Sequence, residues 1–497
     1  MSESSQPGTR REVDESFLDT GCERAAQAAL EVASAAGASW CDARGEGTKW
    51  RGLTLRDVVV EFQGQGESLG IGVRVVLGGA WGFASEPGCD ETRARTATLR
   101  ALEMAKMAKP LTTSPVLMGQ SPALGQRQWC SEYLIDPFDV SDAELVQLFR
   151  DRAAPLVQPE RFADSYCSFV KEQKHYADLS GNALTTQRLR SIGSYTLTQV
   201  SGSEFVSLRT LAAPSQRGFE WMVDAYPWDA ELAELPDLLT QKSMAPRIDA
   251  GTYDLLLDAT NLWLTIHESI GHATELDRIL GYEANYAGTS FITPGDVGSL
   301  VYGSPLLNVT ADRNQRYGLS TVPFDDEGTA TSSFPLITDG VLVDLQRDRS
   351  MGDSNGCAYA DSYEAPPLSR MPNVSVTPQA DGPSVKEMLS EMGDGLYVRG
   401  DDSWSIDTQR NNFQFTGQQF WRVRGGRVEG MVRDAAYQSN TRQFWQSLRR
   451  VGGPETYVLG GAENCGKGQP GQVAPVSHGA PACLFDQVRV LNVKAEN

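Results

Sequence analysis

The chain has 497 residues and a formal net charge of −20, from 44 Lys and Arg against 64 Asp and Glu. This acidic balance argues against a protein that binds a nucleic-acid backbone or an anionic membrane surface, because both need clustered basic residues. At about 100 to 200 residues per domain, the length predicts two or three domains.

The start of the chain predicts a cytoplasmic protein. Residues 1–21 are polar and charged and lack the apolar segment of a signal peptide, so we expect residues 1–18 to form a flexible tail. The apolar stretches elsewhere are shorter than the ~20 residues of a membrane helix. Eight scattered cysteines without C-x-x-C spacing predict reduced thiols.

The first folded region shows a helix, then strands, then a second helix. An Ala-rich helical pattern over 19–36 is followed by runs with a period of two. From Asp90 the helical period returns and ends before Pro110. We therefore predict an α+β N-terminal domain at 19–137, whose last part is a linker or covering loop rich in Pro, Ser and Gly.

A second region follows with its own helix start. Ser141 and Glu144 have the spacing of a capping box. Three strand-like runs between 161 and 213, separated by glycine-containing turns, indicate a meander. Residues 138–247 are therefore predicted to form a central β-meander and helical region.

The third region, 248–497, is predicted to be a β-rich domain built around one helix. An apolar strand leads into NLWLTIHESIGHATELDRIL, where the period becomes helical, and short strand runs dominate beyond 290. The overall fold class is therefore α+β. The apolar stripe of the helix consists of Leu262, Ile266, Ile270, Ala273, Leu276 and Leu280.

The motif HESIGH has the order of a zinc peptidase motif with one additional residue. His267 and His272 are five positions apart, so a regular α-helix would separate their directions by about 140°. A π-turn, with its i to i+5 hydrogen bond, would return both imidazoles to one face. Gly271 lies where such a turn would form and leaves room for close approach. The extra residue is thus compatible with a metal site.

Two imidazoles do not complete such a site, which usually has three protein ligands. The two histidines could instead be a surface patch or hydrogen-bonded core groups. Glu275 and Asp277 could also accept an imidazole N–H and orient the ring. The candidates for a third ligand are Glu275, Asp277, Glu283, His478 or a cysteine such as Cys465, which lies in a glycine-rich loop.

Five ordered motifs resemble the TldD/PmbA family of metallopeptidases, on the TldD side. The resemblance runs from about residue 20 to 490. It is strongest from 248 onward. The motifs are HESIGHATELD (267–277), DDEGT (325–329), LITDGVL (336–342), SRMPN (369–373) and ENCGKGQPG (463–471).

The resemblance implies a site and a partner. His267, His272 and Cys465 would bind one divalent metal ion, usually zinc, and Glu268 would be the catalytic general base. It also implies an N-terminal α+β domain, a β-rich catalytic domain and a PmbA (TldE)-type partner subunit that lacks the metal motif. Together the subunits would enclose a cleft for unfolded or short peptides. Iron, cobalt or nickel would also suit two histidines and a cysteine.

The C-terminal motif departs from the family pattern. The stretch after Gly468 is longer than the usual Gly-Gln-x-Val-Pro-Val-Gly, so no substrate contact is carried over to 469–482 and the substrate-binding residues stay unknown. We expect His478 not to be a ligand and Cys483 to fill a core. DDEGT is read as a hydrogen-bonded or solvated turn, without a second metal.

Three functions agree with these observations. The first is a zinc-dependent peptidase acting on unfolded, short or modified peptides with a PmbA/TldE-like subunit. The second is a metal-dependent amide hydrolase that tailors a modified peptide or small natural product. The third is a non-catalytic scaffold subunit, which the intact Glu268 and both histidines argue against.

Overall fold

The computed structural model describes residues 12–202 and 204–494. Its N-terminal half contains a large sheet and helices that pack on it. The helices are α1 (Glu15–Leu18), α2 (Cys22–Ala35), α3 (Glu91–Ala108), α4 (Asp142–Ala153), α5 (Glu220–Val223) and α6 (Trp228–Met244). The strands are β1 (Trp40–Arg56), β2 (Val59–Leu77), β3 (Ala80–Pro87), β4 (Gln126–Cys130), β5 (Arg161–Asp178), β6 (Ala183–Ser201) and β7 (Glu204–Arg209).

The seven strands form one sheet in the order β3-β2-β1-β5-β6-β4, with β7 paired to the second half of β6. The long strands are antiparallel, and Trp50 of β1 lies between Gly66 of β2 and Val170 of β5. Strands from the predicted N-terminal domain and the predicted central region thus share one sheet, which continues across the predicted boundary at 137/138. Alternating apolarity predicts a strand but not which strand it pairs with.

Helices cover one face of this sheet. Small side chains on α2 and α3 allow both helices to pack closely on β1 and β2, and the aromatic side chains of β5 and β6 pack against α4 and α6. The predicted helix starts at Asp90 and Ser141 are present, since each side chain accepts a hydrogen bond from a backbone N–H of the first turn.

The tail predicted at 1–18 lies partly outside the described residues, which begin at 12. Within the described part, α1 is a short helix and the side chains of Val13 and Phe17 are buried. Asp14 also forms an ion pair with Lys171 of β5 (2.9 Å). Residues 12–18 therefore pack on the sheet, because two apolar groups and one carboxylate have partners there.

The C-terminal half is rich in strands, so the predicted α+β class with a β-rich C-terminal region is confirmed. Its helices are α7 (Ala259–Ile266), α8 (Leu276–Ile279), α9 (Val385–Met392) and α10 (Thr441–Gln446). Its strands are β8 (Gly251–Leu257), β9 (Val309–Asp312), β10 (Ser333–Thr338), β11 (Val341–Leu342), β12 (Ala358–Tyr359), β13 (Leu368–Ser369), β14 (Asn373–Val376), β15 (Gly395–Ile406), β16 (Asn412–Arg424), β17 (Arg427–Val432), β18 (Ala435–Asn440), β19 (Leu448–Val451), β20 (Val458–Lys467), β21 (Gln472–Ala480) and β22 (Cys483–Asn492).

A seven-stranded sheet frames this half. Strands β15, β8, β22, β18 and β16 follow one another, and β16 pairs again with β15, so the sheet closes on itself. Strands β20 and β21 form a separate hairpin. Helix α7 lies between β15 and this hairpin, and seven of its eight residues are buried, which is why its sequence is mostly apolar.

Buried charges join the two halves, on the face of the large sheet that the helices leave free. Lys174 of β5 forms ion pairs with Asp326 (2.7 Å) and Glu172 (3.4 Å), and Arg74 of β2 pairs with Glu327 (2.7 Å). We call these five residues the interdomain ion cluster. DDEGT is thus a hydrogen-bonded loop, as expected, and its acidic groups face basic side chains of the sheet.

The other half of the same sheet face is open. Trp50 and Phe62 are exposed there and stack with ring centroids 6.5 Å apart. Glu463 of β20 lies near Arg190 of β6, whose charge lowers the pKa of this carboxyl group, while burial raises the pKa to about 7. Strand β20 therefore lies across from the open half of the sheet. Every helix in the described part of the chain is too short or too polar to cross a membrane.

Candidate metal centre

The helix that carries HESIGH changes its winding at the motif. Helix α7 ends at Ile266, His267–Gly271 form a π-helical turn, and His272–Thr274 continue as a 3-10 turn. The predicted π-turn is therefore confirmed. The wider turn absorbs the additional residue, so the two imidazole rings lie on one side with centroids 4.7 Å apart.

Neighbouring side chains hold this turn. Trp445 donates to the Ser269 hydroxyl (2.9 Å), and Gln346 donates to the Gly271 carbonyl (2.7 Å), where the regular bonding pattern is interrupted. A Cβ at Gly271 would lie 2.9 Å from the Met371 sulfur. Glycine therefore lets the SRMPN segment approach the turn, as its predicted role requires.

Three possible ligand atoms converge beside the turn. His267, His272 and Cys465 are buried, and each offers one atom within 4.8 Å of the others. Cys465 Sγ is 3.4 Å from His272 Nε2. This distance is close to the separation of about 3.5 Å that a tetrahedral zinc ion gives a nitrogen and a sulfur ligand. The three residues therefore fit a zinc ion.

Hydrogen bonds on the far side of each ring direct both Nε2 atoms to this point. His478 Nδ1 lies 2.8 Å from the Val374 carbonyl, which can only accept, so His478 Nε2 accepts from His267 Nδ1–H (2.8 Å). His272 Nδ1–H donates to Glu275 Oε2 (2.7 Å). Both rings are thereby assigned the tautomer whose Nε2 has a free lone pair.

The charges around the thiol favour its ionised form. Burial alone would raise the pKa of Cys465, but the neighbouring His267 ring and the Arg370 guanidinium bring it below the ordinary value. Arg370 also donates to the Cys465 carbonyl and so fixes this part of β20. Thiolate is the form of cysteine that binds metals.

A buried cluster of charges supports Glu275. Lys467 Nζ lies 3.0 Å from Glu275, 2.8 Å from Asp277 and 3.5 Å from Glu283. Burial raises the pKa of Glu275, but Lys467 and His272 hold it well below the usual range. Glu275 therefore stays ionised and accepts from His272, which was one of its two predicted roles. Asp277 and Glu283 pair with Lys467 and do not contact the imidazoles.

Glu268 lies on the same turn and is 6% exposed. Its Oε2 accepts a hydrogen bond from Arg410 Nη1 (2.5 Å). Arg410 belongs to the tight turn between β15 and β16 and has a left-handed backbone with φ of 61°. The carboxylate is therefore held beside the His267 ring by a cation from another strand pair.

Sequence reasoning overlooked several groups around the site. His478 was set aside as a ligand, and its contact with His267 was not foreseen. Lys467 and Arg370 lie inside the motifs ENCGKGQPG and SRMPN, so their position was a usable signal. Arg410 lies in none of the five motifs, and its contact with Glu268 spans 142 positions.

Replacing His478 by Phe should weaken zinc binding by about 10- to 100-fold, because the His267 ring would lose the acceptor that fixes its tautomer and direction. Competition with a chromophoric chelator measures the affinity. His175→Phe is the matched control, since His175 is also buried but bonds to Thr185 in the N-terminal sheet. Equal affinities for the His478 variant and the native chain would contradict the role of this contact.

The fold and the site define a metallopeptidase-type chain, and comparison with known families agrees. A family model described as the PmbA/TldA metallopeptidase C-terminal domain matches residues 250–492. A second one, described as domain 1 of the same metallopeptidases, matches residues 41–108. The chain belongs to the PmbA/TldD family of metallopeptidases, and its motifs place it on the TldD side.

Curated relatives carry matching names. A "Metalloprotease" of Methanothermobacter thermautotrophicus is 24% identical over 451 residues, which are 89% of this chain and 93% of that protein. A "Metalloprotease TldD homolog" of Haemophilus influenzae is 27% identical over 48% of each chain. A "Zinc metalloprotease TldD homolog" of Saccharolobus solfataricus is 24% identical over 67% of this chain and 69% of that protein.

Solved structures share the fold over nearly the whole chain. TldE from Thermococcus kodakarensis has a TM-score of 0.72 at 13% identity and covers 94% of this chain and 99% of its own. A putative modulator of a DNA gyrase from Thermotoga maritima has a TM-score of 0.73 at 14% identity, with 94% and 100% coverage. At identities of 13% and 14%, these two comparisons show a shared fold only.

Proposed function

We propose that this protein is a zinc-dependent peptidase that hydrolyses unfolded, short or modified peptides. The observation that carries the proposal is the convergence of the buried His267, His272 and Cys465 within 4.8 Å, beside the buried Glu268. The zinc metalloprotease name of the Saccharolobus relative supports the choice of metal. The two histidines and the cysteine would be the ligands and Glu268 the general base.

His267, His272 and Cys465 would hold a zinc ion, which would act as a Lewis acid on a carbonyl group and would lower the pKa of water. Glu268 accepts the proton of the attacking water on a carboxylate oxygen and passes it to the leaving amine. Arg410 keeps this carboxylate in place through its hydrogen bond to Oε2. Glu275 and His478 keep the imidazoles directed to one point.

The proposed substrate is a peptide in an extended conformation. Strand β20, which carries Cys465, pairs with β21 on one side, and in the described part of the chain no strand pairs with its other edge. An extended peptide can add to a free edge through main-chain hydrogen bonds, with little dependence on its side chains. This mode of binding suits unfolded chains, whose backbone groups are unpaired.

The proposed partner is a homologous subunit of the TldE type. The support is the shared fold with TldE of Thermococcus kodakarensis over 94% of this chain. A cytoplasmic location is part of the proposal, because all eight cysteines are free thiols and a reducing compartment keeps them so.

Hydrolysis of one protein in two conformations tests the proposal. The zinc-loaded chain, alone and mixed with its TldE-type homologue, is offered a small protein in its native state and the same protein unfolded by reduction and alkylation. We expect cleavage of the unfolded form, and loss of this cleavage after zinc is removed with a chelator. Absence of cleavage in every mixture would overturn the proposal, and so would cleavage that survives without metal.

A further inference from the structure

A cavity of about 560 Å³ lies away from the metal centre, where the two halves of the molecule meet. Its wall is formed by α5 and α6, by the loop at 315–317, by β15 and by the start of β20. We call it the arginine cavity. Residues that line it include Arg217, Trp221, Tyr226, Tyr317, Arg399 and Val458.

Two arginines of this cavity form no ion pair with a described residue, although the charge of Arg399 acts on Glu231. The Arg217 guanidinium lies 3.7 Å from the ring centroid of Tyr317 and 5.5 Å from that of Trp221, so aromatic faces hold it in place. Within residues 12–202 and 204–494, neither Arg217 nor Arg399 forms an ion pair, and the Nε of each is buried without an acceptor. Buried donors of this kind favour an anion.

The other charged groups of the cavity are already occupied or exposed. Both carboxylate oxygens of Glu231 accept hydrogen bonds, from the Leu211 N–H (2.6 Å) and the Tyr226 hydroxyl (2.7 Å). Glu234 is exposed, and Arg316 pairs with Glu132 at the rim (3.0 Å). Arg217 and Arg399 are therefore the charged groups of the cavity that have a buried N–H left to donate, whereas Glu231 already accepts two hydrogen bonds.

The arginine cavity is connected to the metal centre by two elements. Thr260, in the first turn of α7, lines the cavity, and His267 lies at the end of the same helix. Seven residues of helix span about 10 Å. Val458 begins β20, which continues to Cys465 over about 23 Å of strand. At about 3.3 Å per residue, these two lengths correspond to about three and seven residues of an extended peptide. A peptide that lies along β20 with its cleaved bond at the metal centre would thus reach the cavity about three to seven residues from that bond.

We propose that the arginine cavity binds a carboxylate of the peptide substrate, either a free C terminus or an Asp or Glu side chain. Arg217 and Arg399 would donate hydrogen bonds to it, and the aromatic side chains would contact the apolar part of the residue. The inference rests on the proposed function and adds a substrate class to it: peptides with a carboxylate at a fixed distance from the cleaved bond.

Binding of labelled peptides tests the inference without requiring turnover. The full chain with Glu268→Gln is titrated with short unstructured peptides that carry one Glu, and the position of this Glu is moved stepwise along the peptide. Each peptide is compared with a matched peptide that carries Gln at the same position. A second pair differs in a free or an amidated C terminus. We expect one position, or the free C terminus, to tighten binding about tenfold, as measured by fluorescence anisotropy.

The arginines are then removed one at a time. Arg217→Gln and Arg399→Gln should each abolish the preference for the acidic peptide while the neutral peptide binds as before. Arg424→Gln is the matched control, because its guanidinium is 60% exposed and pairs with Glu429 on a distant hairpin. Equal affinity for acidic and neutral peptides, no peptide binding, or a preference that survives in both variants would overturn the inference.

The two proposals fail in different ways. If the native chain cleaves peptides but binds acidic and neutral ones equally, the carboxylate subsite is wrong and the peptidase stands. If acidic peptides bind more tightly through Arg217 and Arg399 but none is cleaved by the zinc-loaded chain, the subsite stands and the peptidase is wrong.

Discussion

Replacing Glu268 by Gln should lower kcat/KM for peptide hydrolysis by about 10²- to 10⁴-fold while zinc stays bound. The amide has nearly the shape of the carboxylate, and its oxygen can still accept the hydrogen bond that Arg410 donates to Glu268. It cannot accept a proton from water. The three ligand residues are unchanged, so metal content should remain at one ion per chain.

Two measurements on the same sample check this result. Peptide cleavage gives the rate, and elemental analysis gives the zinc content. Glu429→Gln is a suitable control, because that carboxylate is 49% exposed on the β16–β17 hairpin and pairs with Arg424. A Glu268→Gln protein that cleaves as fast as the native chain would refute the role of Glu268 as the base.

Replacing Cys465 by Ala should lower zinc affinity by more than about a hundredfold and abolish hydrolysis. Loss of a residue that only orients a ligand already costs up to about a hundredfold, so loss of a ligand should cost more. The two imidazoles would remain, but the charge of the thiolate would be absent. Dialysed protein should then contain little zinc, as measured by elemental analysis.

Cys483 provides the matched control within the same domain. It is a buried thiol on β22 whose nearest polar contact is the Pro481 carbonyl, 3.6 Å away, and burial raises its pKa. Cys483→Ala should therefore keep both zinc and activity. One zinc ion per chain in the Cys465→Ala protein would remove Cys465 from the ligand set.

The parts of the candidate site that could be predicted are those whose residues lie within one short sequence motif. The spacing of His267 and His272 requires a π-turn if both are to face one point, and the structure contains that turn. The glycine-rich surroundings of Cys465 predict a loop, but Cys465 lies on strand β20, and its sulfur is 3.4 Å from His272. Local geometry was sufficient for the turn, whereas the choice of Cys465 among the candidates for a third ligand came from the family resemblance.

Contacts between distant segments could not be predicted in this way. His478 reaches His267 across 211 positions, and Arg410 reaches Glu268 across 142. Periodicity indicates which face of a strand is apolar, but it does not identify the strand that lies opposite. The same limit explains why the sequence separated strands that the structure joins in one seven-stranded sheet.

The burial of charged residues in strands also could not be predicted from the sequence. Glu172 and Lys174 of β5 belong to an alternating polar face, which usually indicates contact with solvent. Here this face is buried, because Asp326 and Glu327 of the C-terminal half supply opposite charges. A buried charged face needs a partner of matching charge, and that partner lies about 150 residues away along the chain.

The interdomain ion cluster also resists separation of the two halves of the molecule. Swinging them apart would break the contacts of Lys174 with Asp326 and of Arg74 with Glu327. Lys174 would keep Glu172 and Arg74 would keep Asp42 within the large sheet, so the acidic loop of the C-terminal half would be the side that loses its partners. We therefore expect the two halves to move as one unit, so that the large sheet and the metal centre keep a fixed separation.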